Sequence, residues 1–474
     1  MKDKSVVIKL IEFLTIIPLY YIAGEKSLFL YATTLSLYNI YLSCFSHITL
    51  KESFKKVKHD YSRFKILKLT SLNIAIISLL FILLSIIISD TINIFLSLEN
   101  TFLPYLIMSI SIIAEPLTKV FLEYLESYNK PKLSNSLLNA YYILEVVFFL
   151  LISIFTLRVF KLPIHISVSL LYLSKILSSI FVIAITYITL TKQKISLVKQ
   201  EEENTINYKT EIKEILKNNS HKSIINLVKN SYYYLSIIIV YVVLSTRYSY
   251  DITIIEKDIT FVYFYALIII NFIIDTTLSI IKHYNKKISI INYICKVFES
   301  VLTIAIVLGI TSPLICKIIF GSSTNSIYLA MLIYLSIFIA LFDITFEYIK
   351  NKKITYISLI VGLISKMILI IPLINSFYRM GYNLIYGDII STIISMFISI
   401  VINYIYIKLN NQEEKSLEKI LTTLYESILL CIALVLIQFI IPIKTNSYLK
   451  ALFLLVLYIS ISIIFIKFKK KKRG

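Results

Sequence analysis

The chain has only four cysteines in 474 residues, Cys44, Cys295, Cys316 and Cys431, far apart and with no C-x-x-C pair. That spacing excludes a disulfide framework and a thiolate zinc site, and the four read as small hydrophobes within or at the ends of apolar clusters. Histidine is nearly as scarce, at five residues, and tryptophan is absent; no metal site is expected. Acids are also few, 28 Asp and Glu against 48 Lys and Arg, for a net charge of +20. Charged residues make up only 16% of the chain, against about a quarter in a soluble domain. No soluble basic domain exists to carry nucleic-acid binding. There is no P-loop, no H-E-x-x-H and no G-x-S-x-G, so no catalytic constellation or nucleotide hydrolysis is expected. The chain reads as a non-enzyme without a cofactor, energised by an H+ or Na+ gradient, membrane potential or substrate supply.

What fills the chain is apolar sequence: 58% of residues are hydrophobic. The apolar residues are clustered, and many clusters approach the roughly 20 residues that cross a hydrocarbon core of about 30 Å. Lipid leaves helices as the default, because an open sheet would bury unpaired backbone groups. The pattern predicts an all-α polytopic membrane protein with about 14 transmembrane helices. They fall near 6–23, 28–50, 67–88, 103–125, 135–157, 166–190, 231–249, 260–281, 293–315, 328–348, 355–373, 384–407, 420–441 and 449–466. The N-terminal run resembles a secretory signal, but Lys9 and Glu12 interrupt it and a second apolar cluster follows at once, so it reads as a first span. The 36 tyrosines read mostly as interfacial anchors.

Most of the Lys and Arg lie in alternate loops: the N-terminus, 51–66, 126–134, 191–230, 282–292, 349–354, 408–419 and the tail "KFKKKKRG". The positive-inside rule then puts both termini in the cytoplasm. The longest polar segment, 191–230, divides the chain into six spans before it and eight after. Ile212, Ile215, Leu216, Ile224, Ile225 and Leu227 lie there at amphipathic spacing, and predict either an interfacial helix or a plain linker. The expected organisation is 1–190, the linker 191–230, 231–407, and 408–474 holding the last two spans and the basic tail.

A short repeat supports this division. "LEYLESYNKPKLSNSLLNAYYILEVVFFLLI", from Leu122, parallels "FEYIKNKKITYISLIVGLISKMILIIPLI", from Phe346. Each leaves one span through a Glu-Tyr, turns through an Asn-Lys loop and enters the next, at an offset of six spans. Glu145 then lies opposite Lys366, and Glu123 opposite Glu347. Ionisable groups in a span cost about 2.5–3.5 kcal/mol each on insertion scales, so they usually face a cavity or a partner. Glu145 and Lys366 lie near mid-span without an opposite charge three or four residues away. They read as a functional pair bridging the two halves, or as a static structural pair. Glu115, Lys119 and Glu123 share one face of span four, either lining a cavity or neutralising one another. Pro116 beside them predicts a kink. Lys9, Glu12 and Lys175 are further cavity candidates, and Asp388, Asp343 and Asp275 are candidates for coupling a cation.

The sequence resembles the polysaccharide flippases of the multidrug/oligosaccharidyl-lipid/polysaccharide (MOP) exporter superfamily, in the branch of the stage V sporulation protein B and lipid II flippase groups. The resemblance rests on "KSLFLYATTLSLYNIYLS" at span two and on Glu123 through "NKPKLSNSLLNAYYILEVV", where Glu145 matches an "IEQ"-like Glu. It rests further on "VGLISKMILIIPLI", matching a Gly-x-x-x-Lys at Gly362 and Lys366, and on the span-twelve entry with Gly381 and Gly387. The chain departs from the pattern in its first span, which lacks Arg. It also has Phe149 where an Arg often follows the span-five Glu, and only seven glycines.

The resemblance implies two six-helix lobes around a central cavity plus two C-terminal helices, working by alternating access. It implies a monomer in a bacterial cytoplasmic membrane that translocates a lipid-linked oligosaccharide or peptidoglycan precursor, for wall, spore cortex or surface polysaccharide. Lys366, Lys9, Lys119 and Lys175 would meet the lipid diphosphate as point charges. Two other readings stay open: a cation-coupled exporter of small hydrophobic cations, and a degenerate scaffold or accessory membrane protein.

Overall fold

The computed structural model describes residues 6–45, 54, 60–96, 100–128, 130–192, 208–284, 290–349, 351–411, 416–443, 445 and 447–473. Among them the only regular structure is helical. Eleven helices are long and apolar enough to cross a membrane, and two shorter apolar ones cover Leu10–Ile22 and Tyr448–Ile464. With Glu25–Ser43, these match each of the expected spans. The chain is a multi-pass all-α membrane protein.

Packing divides it into two compact units, Met1–Lys257 and Asp258–Gly474. The first unit begins with α1 (Val6–Leu14), α2 (Ile16–Ile22), α3 (Glu25–Ser43) and α4 (Asp60–Leu96). It continues through α5 (Phe102–Ser111), α6 (Ala114–Ser127), α7 (Pro131–Ser153), α8 (Ile164–Leu171), α9 (Leu173–Lys192) and α10 (Tyr208–Val242). The helix α11 (Ile252–Thr260) contains the division. The second unit follows with α12 (Ala266–Tyr284), α13 (Ile290–Ile310), α14 (Ser312–Phe320) and α15 (Ser326–Tyr348). It ends with α16 (Lys352–Arg379), α17 (Ile385–Asn411), α18 (Ser416–Ile440) and α19 (Tyr448–Arg473).

The division by packing falls later than the 191–230 linker. The reason is that α10 packs along α3: Tyr241 stacks on Phe29 at 5.5 Å, and Asn230 donates to Ser43 Oγ and to the Asn39 carbonyl. The amphipathic stretch from Ile212 to Leu227 is the first half of this continuous helix. Residues 193–207 lie outside the described set.

Long rows of apolar side chains face outward, as lipid requires. On α4 they include Leu79, Ile87 and Ile94. The last two helices are built into the second unit: Leu430 and Leu434 of α18 and Leu454 and Tyr458 of α19 share a core with Ile306 and Leu314. Tyr458 Oη donates to the Ile441 carbonyl at 2.8 Å, closing the end of α18. Between α10 and α11, the Thr253 amide and hydroxyl both donate to Asp251. Those two bonds, the amide first, hold the exposed Asp251 carboxyl below its usual range.

The orientation expected from the basic loops, carried through alternating helices, gives a testable topology. Reporter fusions at Asn100, Asp251 and Asn325 are expected to signal from outside, and fusions at Lys130 and Asn351 from the cytoplasm. One reversed signal among the five would break the alternation.

Candidate functional site

The first unit gathers its charges where its spans are interrupted. Span four breaks at Ile112–Ile113, between α5 and α6. Pro116 has no N–H to offer the Ile112 carbonyl, and the helix is interrupted there while Ile112 and Ile113 keep right-handed helical dihedrals. Just past the break, Ser179 Oγ of α9 donates to the Ala114 carbonyl at 3.0 Å, and Thr118 Oγ1, 2.8 Å from the same oxygen, lies 2.7 Å from Ser179 Oγ. Span six has a similar interruption at Tyr172, between α8 and α9.

These breaks place two ion pairs. Lys119 Nζ lies 2.7 Å from Glu115 Oε1, one turn back on α6. Lys175 of α9 donates to Glu145 of α7, and its ammonium also sits over the Tyr38 ring, 4.8 Å from the centroid. Tyr38, Tyr141 and Tyr142 are each within electrostatic reach of both Glu115 and Glu145, so the two pairs belong to one site. Glu12 of α1 also acts electrostatically on Tyr142. Tyr31 and Tyr172 complete the aromatic wall with centroids 5.3 Å apart, and Tyr172 Oη donates to Thr34 Oγ1 at 2.8 Å. Phe149 packs on Tyr31 at 5.2 Å. Two tyrosine hydroxyls of this wall, on Tyr38 and Tyr141, are buried without a hydrogen-bond partner among the described residues. Buried hydroxyls normally have one.

The second unit has a tighter constellation. Lys366 of α16 is fully buried. Its Nζ donates to Thr392 Oγ1 at 2.6 Å and lies 3.4 Å from Asp388 Oδ1. Asp388 is 1% exposed and accepts from Tyr263 Oη on its other oxygen. Tyr263 lies in a π turn, Phe261–Tyr265, between α11 and α12; such single wide turns often mark functional positions. Gly387, beside Asp388, lets α17 close on α16: a Cβ there would lie 2.5 Å from the Ile374 nitrogen.

Of the residues expected to form a site, the structure brings Glu115, Lys119, Glu145 and Lys175 together, with Glu12 near them. Glu145 and Lys366 each have a partner inside their own unit, Lys175 and Asp388 respectively. Glu123 is half-buried two turns below Glu115, and the Lys9 side chain lies outside the described residues. Asp343, on α15, is half-buried, while Asp275, on α12, is exposed. The sequence reading did not name Tyr31, Tyr38, Tyr141, Tyr172, Tyr263 or Thr392. Thr392 had a signal, four residues after Asp388 on the same helical face. Tyr263 had none, because a π turn leaves no periodic trace.

No protein-family profile and no curated protein matches the sequence. Solved structures do match. The lipid II flippase MurJ in an inward closed conformation is 14% identical, covering 98% of this chain and 97% of its own, with a TM-score of 0.67. An inward-facing multidrug resistance MATE family transporter of the MOP superfamily is 10% identical over 86% of this chain and 95% of its own, with a TM-score of 0.54. A MOP superfamily transporter from Pyrococcus furiosus is 11% identical over 85% and 94%, with a TM-score of 0.50. The chain therefore has the fold of the MOP superfamily, as its sequence resemblance implied. MurJ shares that fold over nearly the whole chain, including the last two helices.

Proposed function

We propose that this chain is a flippase that moves a lipid-linked oligosaccharide or peptidoglycan precursor across a bacterial cytoplasmic membrane by alternating access. The observation that carries the reading is the paired-charge site of the first unit, Lys119 and Lys175 each held by a glutamate beside tyrosines, two of whose hydroxyls are buried without a partner among the described residues. A lipid diphosphate needs point cations that are kept neutral when it is absent, and Lys–Glu pairs supply this. Glu115 and Glu145 neutralise the lysines in the empty state and yield them to phosphate in the loaded state. Sugars then lie against the tyrosine faces, which stack on apolar ring surfaces while their hydroxyls bond the sugar hydroxyls. Lys9, Glu12 and Glu123 are proposed as outer members of this site. The extent of the MurJ likeness, with both terminal helices included, supports the same substrate class.

The test is rescue of a strain depleted of its own lipid II flippase. Growth with this chain, lost on Lys119→Ala and on Lys175→Ala in protein that still inserts, is the expected result. Growth retained by both variants would remove the lysines from the mechanism. Single cysteines at Glu115, Lys119 and Glu123, in a background without the native cysteines, provide a second check. Labelling by a small cytoplasmic thiol reagent, slowed by a polyprenyl diphosphate, is expected; inertness at all three positions would place that face in fixed packing.

One observation favours a second reading. Glu115 and Glu145 lie among buried aromatic rings, an arrangement that also suits a hydrophobic cation, and MATE transporters share the fold. Under that reading, Glu145→Gln abolishes drug resistance conferred by the chain, and flippase rescue fails.

A further inference from the structure

The buried cluster of the second unit is not used by the substrate mechanism above. Its donor set resembles that of a small cation site: a carboxylate oxygen, a threonine hydroxyl oxygen, and almost no exposure to water. Alkali cations take hard oxygen ligands of this kind. Here the charge between the oxygens is an ammonium, Lys366 Nζ, 2.6 Å from Thr392 Oγ1 and 3.4 Å from Asp388 Oδ1.

The surrounding contacts orient both ligands toward that ammonium. Thr392 Oγ1 spends its own proton on the Asp388 carbonyl, at 3.0 Å, so its lone pairs face Lys366. Ser391 donates to the same carbonyl at 2.7 Å. Tyr263 donates to Oδ2 of Asp388, and Lys366 approaches Oδ1. The nearby carboxylate of Asp258 has donors of its own, Tyr328 Oη and Asn383 Nδ2, each at 3.0 Å. Lys366 lies beside the Asp388 carboxylate, and an uncompensated charge at that depth would be strongly unfavourable.

We propose that Asp388 and Thr392 form an alkali-cation site whose cation is supplied by the chain itself, the tethered Lys366 ammonium. A tethered cation cannot leave for the other side of the membrane. Asp388 is therefore neutralised without Na+, and a sodium gradient has no free ion at these two oxygens to act through. Removing the lysine side chain opens room at the same oxygens for an alkali ion with its waters. The inference holds whatever the substrate is, because it concerns the second unit alone.

The test is thermal unfolding of the full-length protein in detergent, in NaCl, LiCl, KCl or choline chloride at equal ionic strength. The wild-type midpoint is expected to be the same in all four salts. Lys366→Ala and Lys366→Ser are each expected to unfold at a midpoint at least about 2 °C higher in NaCl or LiCl than in choline chloride. Lys366→Ala combined with Asp388→Asn is expected to lose that dependence. A variant that folds only when purified in Na+ supports the proposal equally. A wild-type midpoint raised by Na+, single variants indifferent to every alkali ion, or failure of both single variants to fold in any salt would overturn it.

Discussion

Lys175→Met alone is expected to destabilise the first unit by on the order of 3 kcal/mol, the cost of leaving a largely buried carboxylate without its counter-charge. Lys175 and Glu145 come from different helices, α9 and α7, so no local helical effect compensates. Combining Lys175→Met with Glu145→Leu removes both charges and is expected to restore most of the stability, because a well-packed apolar pair replaces a buried ion pair at little cost. The double variant is nevertheless expected to lose transport, since it has one fewer cation for the diphosphate. Unfolding in detergent, scored beside flippase rescue, separates the two effects. A single variant as stable as the wild type would mean that water already solvates Glu145.

Gly387→Val is expected to prevent the second unit from accumulating in folded form. A Cβ at that position would lie 2.5–2.8 Å from the Ile374 nitrogen and Cα and the Leu373 carbonyl carbon. Those are backbone atoms and cannot swing aside, so α16 and α17 must separate. Separation would pull Asp388, the next residue, away from Lys366. Gly381 provides the contrast. It has a φ of 72° at the end of α16, and a Cβ there would meet nothing within 4 Å. Gly381→Ala is therefore expected to cost only about 1 kcal/mol, the backbone price of a left-handed residue with a side chain. Expression in the membrane and elution as a monodisperse peak check both variants. Equal behaviour of the two would refute the close-packing account.

The helices were legible in the sequence because lipid imposes length and hydropathy on each span separately. The chemistry was legible only in part. Charges in an apolar run announce themselves, so Glu115, Lys119, Glu145, Lys175, Lys366 and Asp388 could be singled out. Their partners could not all be paired. Lys119 and Glu115 are four residues apart and visible as a pair, but Lys175 and Glu145 are 30 apart on separate helices. The apparent symmetry between Glu145 and Lys366 suggested a bridge, and it concealed the neighbour that each has within its own unit. The tyrosines were hidden by abundance: among 36, nothing local distinguishes Tyr38 or Tyr141 from an interfacial anchor. Gly387 was noted for resemblance, but its reason, a backbone approach between α16 and α17, is tertiary.

The π turn at Phe261–Tyr265 has a geometric consequence for the helix it interrupts. Ile255 and Ile259 before it, and Ile270, Ile273 and Ile274 after it, are all buried. On an unbroken α-helix their spacing would form one straight stripe. The turn inserts one residue into the count, and one residue corresponds to about 100° of rotation. The stripe is thus phase-shifted at mid-membrane, and a single helix presents its apolar side in two directions. At the point of the shift, the chain can direct Tyr263 to Asp388 while its neighbours Val262 and Phe264 stay buried.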